Sequence, residues 1–390
     1  MVNSFNFARI PHLLFGPGKF DKLSSIIHHY GQTVLLVTGS TSFARSPYAE
    51  KLFESLNNNN IEYFQTRILK EPSPSDIDEV VRLFRWHNIS VVVSVGGGSV
   101  LDAGKAIAAM LPSGEPVKDY LEKVGTKIHD GNKIPFIAIP TTAGTGSETT
   151  KNAVISEVGE EGFKSSLRHD NFVPDYAIVD PLLSLGCPAD ITASSGMDAF
   201  TQLLESYVST NAGPMTDALA MEGLDAIKNS LVPVCHNGDN SDARTGMAYA
   251  SMLSGITLAN AGLGVIHGFA SSLGGFFDIP HGVVCGTLMG IVNQMNVEKL
   301  LAQNEDSEAL EKYIQLGRYF VAGENKDREY YARSFADYVS EMVEKLAIPR
   351  LGEYGITADD FDKIIADTGN KNNPIPFGPE DMERVLSERL

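Results

Sequence analysis

The first half of the chain alternates short β-branched segments with helical patterns, and this alternation limits the fold more than any other feature of the sequence. Strand-like segments occur at residues 34–38, 91–95, 135–139 and 176–180. Between them, residues 74–87 repeat apolar side chains at steps of three and four, as an amphipathic helix does. Strands separated by helices predict a mainly parallel sheet with helices on both faces. In such a sheet, ligands bind at the carboxyl ends of the strands.

In the second half of the chain, long helical repeats replace the strand-like segments. They occupy residues 192–208, 214–231, 242–258, 306–320, 327–346 and a terminal segment from 379. We therefore predict two domains, an α/β domain over residues 1–182 and an all-helical domain over residues 183–390. Residues 246–277 contain no Asp, Glu, Lys or Arg, but Asn260, His267 and many Gly and Ser residues interrupt this apolar tract. The interruptions predict helices buried in a large core rather than a membrane span.

The charge balance and the cysteine content exclude several classes of partner. The 390 residues include 31 Lys and Arg against 49 Asp and Glu, a formal net charge of −18, and such a surface repels nucleic-acid phosphates and anionic lipids. Cys187, Cys235 and Cys285 are widely spaced, which argues against a disulfide framework and against a thiolate zinc site. Residues 1–10 lack the basic and apolar segments of a signal peptide. We expect a cytoplasmic protein that binds neither nucleic acid nor membranes.

Two loops rich in glycine and hydroxyl groups follow predicted strands. The residues that point to ligand binding are Gly97, Gly98, Ser99 and Asp102 in the first loop and the helix after it, and Thr141, Thr142 and Thr145 in the second loop. Glycine N–H groups at a helix start form a site for a pyrophosphate, although the first loop is neither the GxGxxG fingerprint nor a P-loop. The two loops together predict a dinucleotide site. The alternative is that the glycines only close a turn.

A carboxylate and two imidazoles are candidates for a metal site in the helical half. Asp198 and Gln202 are four residues apart, so both side chains lie on one face of a predicted helix. His267 and His281 follow later, and His267 lies in the apolar tract. Asp and His together bind divalent ions such as Fe²⁺ or Zn²⁺. The alternative is that each His is a hydrogen-bonded core residue without a metal.

Ordered motifs extend over nearly the whole chain. They are FGPG at 15–18, GGGSVLDAGKA at 96–106, IPTTAGTGSE at 139–148, VDP at 179–181, GMDA at 196–199, the segments around His267 and His281, and NKNNP at 370–374. In order and separation they resemble the motifs of the iron-containing (group III) alcohol dehydrogenases. The resemblance implies a dehydroquinate synthase-like architecture, with an N-terminal dinucleotide-binding α/β domain and a C-terminal helical metal-binding domain. It also implies NAD(P)-dependent interconversion of alcohols with aldehydes or ketones, a homodimer or higher oligomer, and contact between Lys164 and the cofactor.

Two positions depart from the family pattern. Family members usually place a His four residues after the Asp, where this chain has Gln202, and an amide oxygen is a weaker ligand for Fe²⁺ or Zn²⁺ than imidazole. The related glycerol dehydrogenases bind zinc with one Asp and two His, so we still expect a metal site of Asp198, His267, His281 and Gln202. Ser271 occupies the position of a further His in many members, which predicts that a proton relay there is absent or runs through water.

The residues after the first predicted strand bear on the choice of cofactor. Many NAD-preferring family members have an Asp at the position of Gly39, where it bonds the ribose hydroxyls and repels a 2′-phosphate. Gly39 and Ser40, followed by two further hydroxyl residues, leave room and donors for that phosphate. This predicts a preference for NADP(H) over NAD(H). The alternative is that the glycine only permits a turn.

These observations predict metal-assisted hydride transfer with Asp198, His267 and His281 as the catalytic residues, the cation polarising the oxygen of an alcohol or aldehyde. Within the oxidoreductases, a maleylacetate reductase or a glycerol dehydrogenase is the alternative. A lyase of the dehydroquinate synthase type needs many basic residues for its substrate, and between residues 180 and 278 the basic residues are Lys228 and Arg244 alone. An alternative of another class is a catalytically inactive nucleotide-binding protein with the same fold.

Overall fold

The computed structural model describes residues 4–303, 306–321, 323 and 325–390. The strands are β1 (His12–Phe15), β2 (Thr33–Thr38), β3 (Glu62–Arg67), β4 (Val91–Gly96), β5 (Phe136–Pro140), β6 (Asn152–Glu157), β7 (Phe163–Arg168) and β8 (Tyr176–Val179). The helices are α1 (Leu23–Ile27), α2 (Pro47–Asn58), α3 (Pro74–Phe84), α4 (Gly98–Ser113), α5 (Ala189–Val208), α6 (Pro214–His236), α7 (Ser241–Ala261), α8 (Val265–Phe276), α9 (His281–Gln303), α10 (Glu308–Phe320), α11 (Arg328–Lys345), α12 (Phe361–Asp367) and α13 (Pro379–Glu388).

Six strands form one parallel sheet in the order β1-β8-β5-β4-β2-β3. The predicted strands correspond to β2, β4, β5 and β8, which are neighbours in this sheet, and the predicted α/β class is confirmed. Because the strands are parallel, the loops that follow β2, β4 and β5 all leave the same edge. The register pairs Thr38 with Val95, and Gly96 with Pro140. This edge therefore carries both predicted cofactor loops.

Alternate residues of the central strands pack on opposite faces of the sheet, as the two-residue repeat of a strand requires. On β2, Val34 and Leu36 pack with α1 and α2, whereas Leu35 and Val37 pack with α3 and α4. Both faces of β2 are fully buried. Helices on both faces leave the edge at the carboxyl ends of the strands as the open place for a ligand.

The second half of the chain is helical from α5 to α13, as predicted, and it has a separate apolar core. The apolar tract forms parts of α7 and α8, most of whose residues are buried in this core. Among the described helices, no single one is long and apolar enough to cross a membrane, and only α7 and α8 taken together reach that length, with a bend of 100° between them. The boundary predicted after residue 182 lies between β8 and α5, and the division into two domains stays a prediction.

The two-stranded antiparallel sheet of β6 and β7 was not predicted from the sequence. Its strands are rich in Ser, Asn and charged residues and have no clear apolar alternation. The hairpin packs against α4 and α8. It therefore connects the parallel sheet to the helical half and carries Lys164 into the space between them.

Candidate active site

The first predicted cofactor loop forms the start of α4. Gly97 is the residue before the first turn of this helix, and its backbone is extended. A Cβ atom on Gly98 would lie 2.6 Å from Cγ2 of Thr145, so only glycine lets the second loop pack directly on the first. On the other side, a Cβ atom on Gly97 would lie 3.3 Å from Oγ1 and 3.5 Å from Cγ2 of Thr142. The two loops thus form one continuous surface of N–H and hydroxyl groups at the helix start, which suits a pyrophosphate.

A buried lysine that the sequence analysis did not single out fastens the two loops together. Nζ of Lys105 donates to the carbonyl oxygens of Ser147 (2.9 Å) and Asn152 (2.7 Å) and to the hydroxyl of Thr150 (3.1 Å). The hydroxyl of Ser147 donates to Oδ1 of Asp102 at 2.5 Å, which lies 3.8 Å from the ammonium. Burial lowers the pKa of Lys105 to about 8 although Asp102 opposes this change, and burial likewise raises the pKa of Asp102.

The remaining predicted cofactor residues lie along the same edge. Gly39 and Ser40 directly follow β2, and a Cβ on Gly39 would lie 3.8 Å from a methyl group of Val100 in the first turn of α4. Thr141 follows β5, and its N–H donates to the carbonyl of Gly96 at 2.9 Å. The structure therefore brings the loops after β2, β4 and β5 to one edge of the sheet.

A cleft of about 920 Å³ runs from this edge to the helical half. The predicted site residues that line it are Gly98, Ser99, Asp102, Thr145, Lys164, Gln202, His267 and His281. Within the cleft, Nζ of Lys164 lies 2.7 Å from both carboxylate oxygens of Glu71. Burial raises the pKa of Glu71, but the charge and hydrogen bonds of Lys164 outweigh burial and lower it overall. The hydroxyl of Ser271 donates to the backbone carbonyl of Lys164 at 3.2 Å.

Three of the four predicted metal ligands converge at the bottom of this cleft. Oδ1 of Asp198 lies 3.5 Å from Nε2 of His267 and 3.6 Å from Nε2 of His281. Sγ of Cys285 lies 3.7 Å from each of these two nitrogens. The donor atoms of the four side chains all lie within 4.8 Å of one another. One carboxylate, two imidazoles and one thiol form a donor set that fits a divalent transition metal.

The charges of this cluster favour a carboxylate and one neutral imidazole. Burial raises the pKa of Asp198, but His281 and His267 outweigh burial and lower it overall. Burial lowers the pKa of His281 to about 4, so this ring keeps a free lone pair at neutral pH. Burial also opposes a charge on His267, yet Cys285, Glu205 and Asp198 raise its pKa well above the ordinary value. Burial raises the pKa of Cys285 to about 12. The carboxylates of Asp198 and Glu205 therefore attract a positive charge, which a proton on His267 or a divalent cation supplies.

Glu205 orients His267, and sequence reasoning missed it. Its Oε2 lies 2.6 Å from Nδ1 of His267, and its Oε1 accepts the N–H of Ile266 at 2.8 Å. A carboxylate on Nδ1 fixes the ring so that Nε2 is free to bind a metal. A signal was available, because Asp198, Gln202 and Glu205 lie at i, i+4 and i+7 on one face of α5.

Gln202 makes a different contact from the one its sequence position suggests. Its amide nitrogen donates to Oδ1 of Asp198 at 3.1 Å, and its oxygen accepts the hydroxyl of Ser254 at 2.7 Å. The same hydroxyl lies 3.4 Å from the carbonyl oxygen of Gly144 in the second cofactor loop. A chain of polar contacts therefore leads from that loop to Asp198. Ligation of a metal by Gln202 stays a prediction.

The contact between Glu205 and His267 leads to a first prediction. Replacing Glu205 with glutamine removes the negative charge beside Nδ1, so the ring is no longer fixed with Nε2 free. We expect metal affinity to fall by about 10- to 100-fold, measured by competition with a chelator of known affinity. The exposed Glu341 on α11 provides a matched control as Glu341→Gln. Equal metal affinity in Glu205→Gln and Glu341→Gln would contradict the role of Glu205.

Comparisons with known proteins match the chain to one family over most of its length. The profile of the iron-containing alcohol dehydrogenases matches residues 11–181, and that of the C-terminal part of the same family matches residues 192–390. The chain is 31% identical to alcohol dehydrogenase 4 of Saccharomyces cerevisiae over 386 residues, which cover 97% of this chain and 96% of the yeast protein. It is 30% identical to the NADPH-dependent butanol dehydrogenase of Clostridium saccharobutylicum over 384 residues, covering 96% and 95%. The solved structure of an alcohol dehydrogenase from Oenococcus oeni superimposes with a TM-score of 0.89 at 29% identity, covering 99% of this chain and 100% of the other.

Proposed function

The chain belongs to the iron-containing alcohol dehydrogenase family, and from this membership we propose which of its residues hold the cofactor, the metal and the substrate. It is an NAD(P)-dependent oxidoreductase that interconverts alcohols with aldehydes or ketones. The family implies a divalent metal as well. The convergence of Asp198, His267 and His281 on one point beside the cofactor cleft carries the proposal.

The N-terminal domain, residues 1–182, binds the dinucleotide. Gly97, Gly98 and Ser99 would hold the pyrophosphate, because the N–H groups of a helix start attract negative charge. Thr141, Thr142 and Thr145 would line the rest of the cofactor, and Asp102 holds the second loop through Ser147. Lys164 lines the same cleft and would contact the cofactor. The hydride chemistry belongs to the nicotinamide, and these residues contribute its position.

The helical domain, residues 183–390, holds the metal on Asp198, His267 and His281. When bound, a divalent cation supplies Lewis-acid polarisation of an oxygen atom. The walls of the cleft beside these ligands are apolar and are formed by Leu258, Leu263, Phe277, Ile279 and Pro280. Such walls accept a short aliphatic chain. We therefore propose a short aliphatic alcohol and its aldehyde as the substrate pair.

Ser271 determines how the alcohol proton leaves. Its hydroxyl donates to the carbonyl of Lys164, and a serine hydroxyl does not exchange a proton near neutral pH as an imidazole does. The proton therefore leaves through the water of the open cleft.

We also propose that the protein is a homodimer or higher homo-oligomer, as the family resemblance implies. Light scattering on the purified protein tests this.

Cofactor preference rests on the space at Gly39. A Cβ at Gly39 would lie 3.8 Å from a methyl group of Val100 and 3.9 Å from the hydroxyl of Ser42. A larger residue would therefore fit at this position, and glycine leaves that space empty. Ser40, Thr41 and Ser42 bring hydroxyl donors to this place. Arg67, at the end of the neighbouring strand, is in register with Thr38, the residue before Gly39. Donors and a nearby Arg at this edge favour a 2′-phosphate, and hence NADP(H).

Replacing Gly39 with aspartate tests this preference. The new carboxylate repels a 2′-phosphate by about 1–4 kcal/mol at contact distance, so we expect the ratio of kcat/KM for NADPH to that for NADH to fall by at least about tenfold. Initial rates with both cofactors at fixed aldehyde measure it. Gly39→Asn has nearly the same shape without the charge and should keep the preference. A ratio unchanged in Gly39→Asp would contradict the position assigned to the 2′-phosphate.

The function itself is tested by absorbance of NADPH with a panel of short aliphatic aldehydes, together with elemental analysis of protein purified without chelator. Turnover with at least one aldehyde and about one divalent ion per chain support the proposal. Tight binding of NADPH without turnover across the panel would contradict it. Turnover that survives complete removal of the metal would contradict the metal-assisted reaction alone.

A further inference from the structure

Cys285 is a fully buried thiol that lies in the cluster of proposed metal ligands. The wide spacing of the cysteines argues only against a zinc site built from several cysteines. It gives no information on a single cysteine that binds a metal together with histidines. Cys285 follows His281 by four residues on α9, so both side chains lie on one face of that helix. Its Sγ is 3.7 Å from Nε2 of His281 and 3.7 Å from Nε2 of His267.

From this geometry we propose that Cys285 is a ligand of the metal, as a thiolate, in the place that Gln202 leaves. The inference rests on the metal site proposed above. The amide of Gln202 is engaged at both ends, by Asp198 and by Ser254, so the cluster needs its fourth donor from elsewhere. Among the residues that the structure describes, Cys285 completes the group with Asp198, His267 and His281.

The distances favour shared coordination over a buried hydrogen-bonded thiol. Four ligands bound to one ion at about 2.0–2.3 Å lie about 3.3–3.7 Å from one another in a tetrahedron. Of the six separations between the donor atoms of Asp198, His267, His281 and Cys285, four are 3.5, 3.6, 3.7 and 3.7 Å, and the other two are within 4.8 Å. The thiol can donate to the neutral ring of His281 and accept from His267, so the assignment rests on the near-tetrahedral spacing and not on the two Sγ distances alone.

The position of Cys285 leaves the cleft side of the ion free. Both imidazoles line the cleft, and the side chain of His281 is 25% exposed. Cys285 lies behind them and is fully buried. A thiolate at this place would bind the ion from the protein side, and a substrate oxygen on the cleft side would be a fifth ligand, which zinc accepts.

A thiolate also changes which metal the site prefers. Asp198 and Cys285 together offer two negative charges, which neutralise a divalent ion. Sulfur is a soft ligand, and soft thiolate ligands select zinc over metals that prefer oxygen. Zn²⁺ also binds a given site more tightly than Fe²⁺ in the usual order of divalent metals. We therefore assign zinc to this site.

X-ray absorption at the zinc edge of the unmodified, zinc-loaded protein tests the ligand directly. We expect one sulfur at about 2.3 Å beside nitrogen and oxygen ligands at about 2.0–2.1 Å. Zinc bound with nitrogen and oxygen ligands alone would overturn the role of Cys285 and leave the proposed metal site intact. Failure to bind any divalent ion would overturn both.

Cobalt substitution gives a second readout. The Co²⁺ form of the wild type should show the near-ultraviolet charge-transfer band of a thiolate ligand, and Cys285→Ser should lack it and bind the metal at least about tenfold more weakly. Cys235→Ser, which changes a partly buried cysteine on α6, should keep the band. A band that persists in Cys285→Ser, or that is missing from cobalt-loaded wild type, would overturn the inference.

Discussion

Replacing Asp198 with asparagine is expected to reduce kcat/KM for the aldehyde by at least about 10³-fold, because a metal contributes several kcal/mol of transition-state stabilisation and each 1.36 kcal/mol is a factor of about ten. Asp198 is buried, and its Oδ1 lies within 3.6 Å of both imidazoles. Asparagine keeps the shape and removes the charge that holds a cation there. Metal content measured on the same preparation should fall with the activity.

The control for this experiment lies on the same helix. Asp190 is exposed in the first turn of α5, where a carboxylate stabilises the helix by about 1 kcal/mol or less. Asp190→Asn should therefore keep both activity and metal. Chelation of the wild-type metal should lower the rate to that of Asp198→Asn. Wild-type kcat/KM in Asp198→Asn, with the circular dichroism spectrum of a folded protein, would contradict the role of Asp198 in the metal-assisted reaction.

Replacing Lys105 with methionine is expected to destabilise the protein by about 3–5 kcal/mol, because it leaves Asp102 buried without its countercharge. The methionine fills the space of the lysine stem, but it cannot donate to the carbonyls of Ser147 and Asn152. We expect the midpoint of thermal unfolding in calorimetry to fall by roughly 5–15 °C. Because Lys105 fastens the second cofactor loop to α4, the Kd for NADPH should also rise.

An exposed ion pair provides the comparison for Lys105. Nζ of Lys51 lies 2.5 Å from Oδ1 of Asp21, and both side chains are about half exposed. Solvent screens such exposed pairs and leaves them little net stability, so Lys51→Met should change the midpoint little. Equal unfolding midpoints in Lys105→Met and Lys51→Met would contradict the prediction that the buried ammonium of Lys105 stabilises the protein by holding the second cofactor loop on α4.

The sequence allowed prediction of the parallel sheet and the cofactor loops because both depend on local patterns. Apolar runs such as residues 91–95 mark strands buried on both faces, and glycine in a strand-to-helix turn is a local requirement. Thr145, for example, is predicted to line the cofactor because its hydroxyl lies in such a loop. In the structure its side chain packs on Gly98. The β6 and β7 strands escaped prediction because half-exposed polar strands lack that signal.

The candidate metal cluster could be predicted only in part, since its members come from three helices whose packing is not local. Asp198, His267 and His281 belong to residue types that bind metals and were found by type. Glu205 acts through His267, which lies 62 residues away in the chain, and no sequence spacing indicates that contact. Cys285 has no nearby cysteine, so cysteine spacing does not indicate it as a metal ligand, although His281 lies one helical turn before it.

The polar contacts that run from Gly144 through Ser254 and Gln202 to Asp198 have a thermodynamic consequence. They join the dinucleotide side of the cleft to the cation side through a single serine hydroxyl. Linkage between two ligands is reciprocal. If a bound dinucleotide changes the affinity for the ion by some factor, the bound ion changes the affinity for the dinucleotide by the same factor. Ser254 touches neither proposed ligand, and its hydroxyl is the contact through which such a linkage would act.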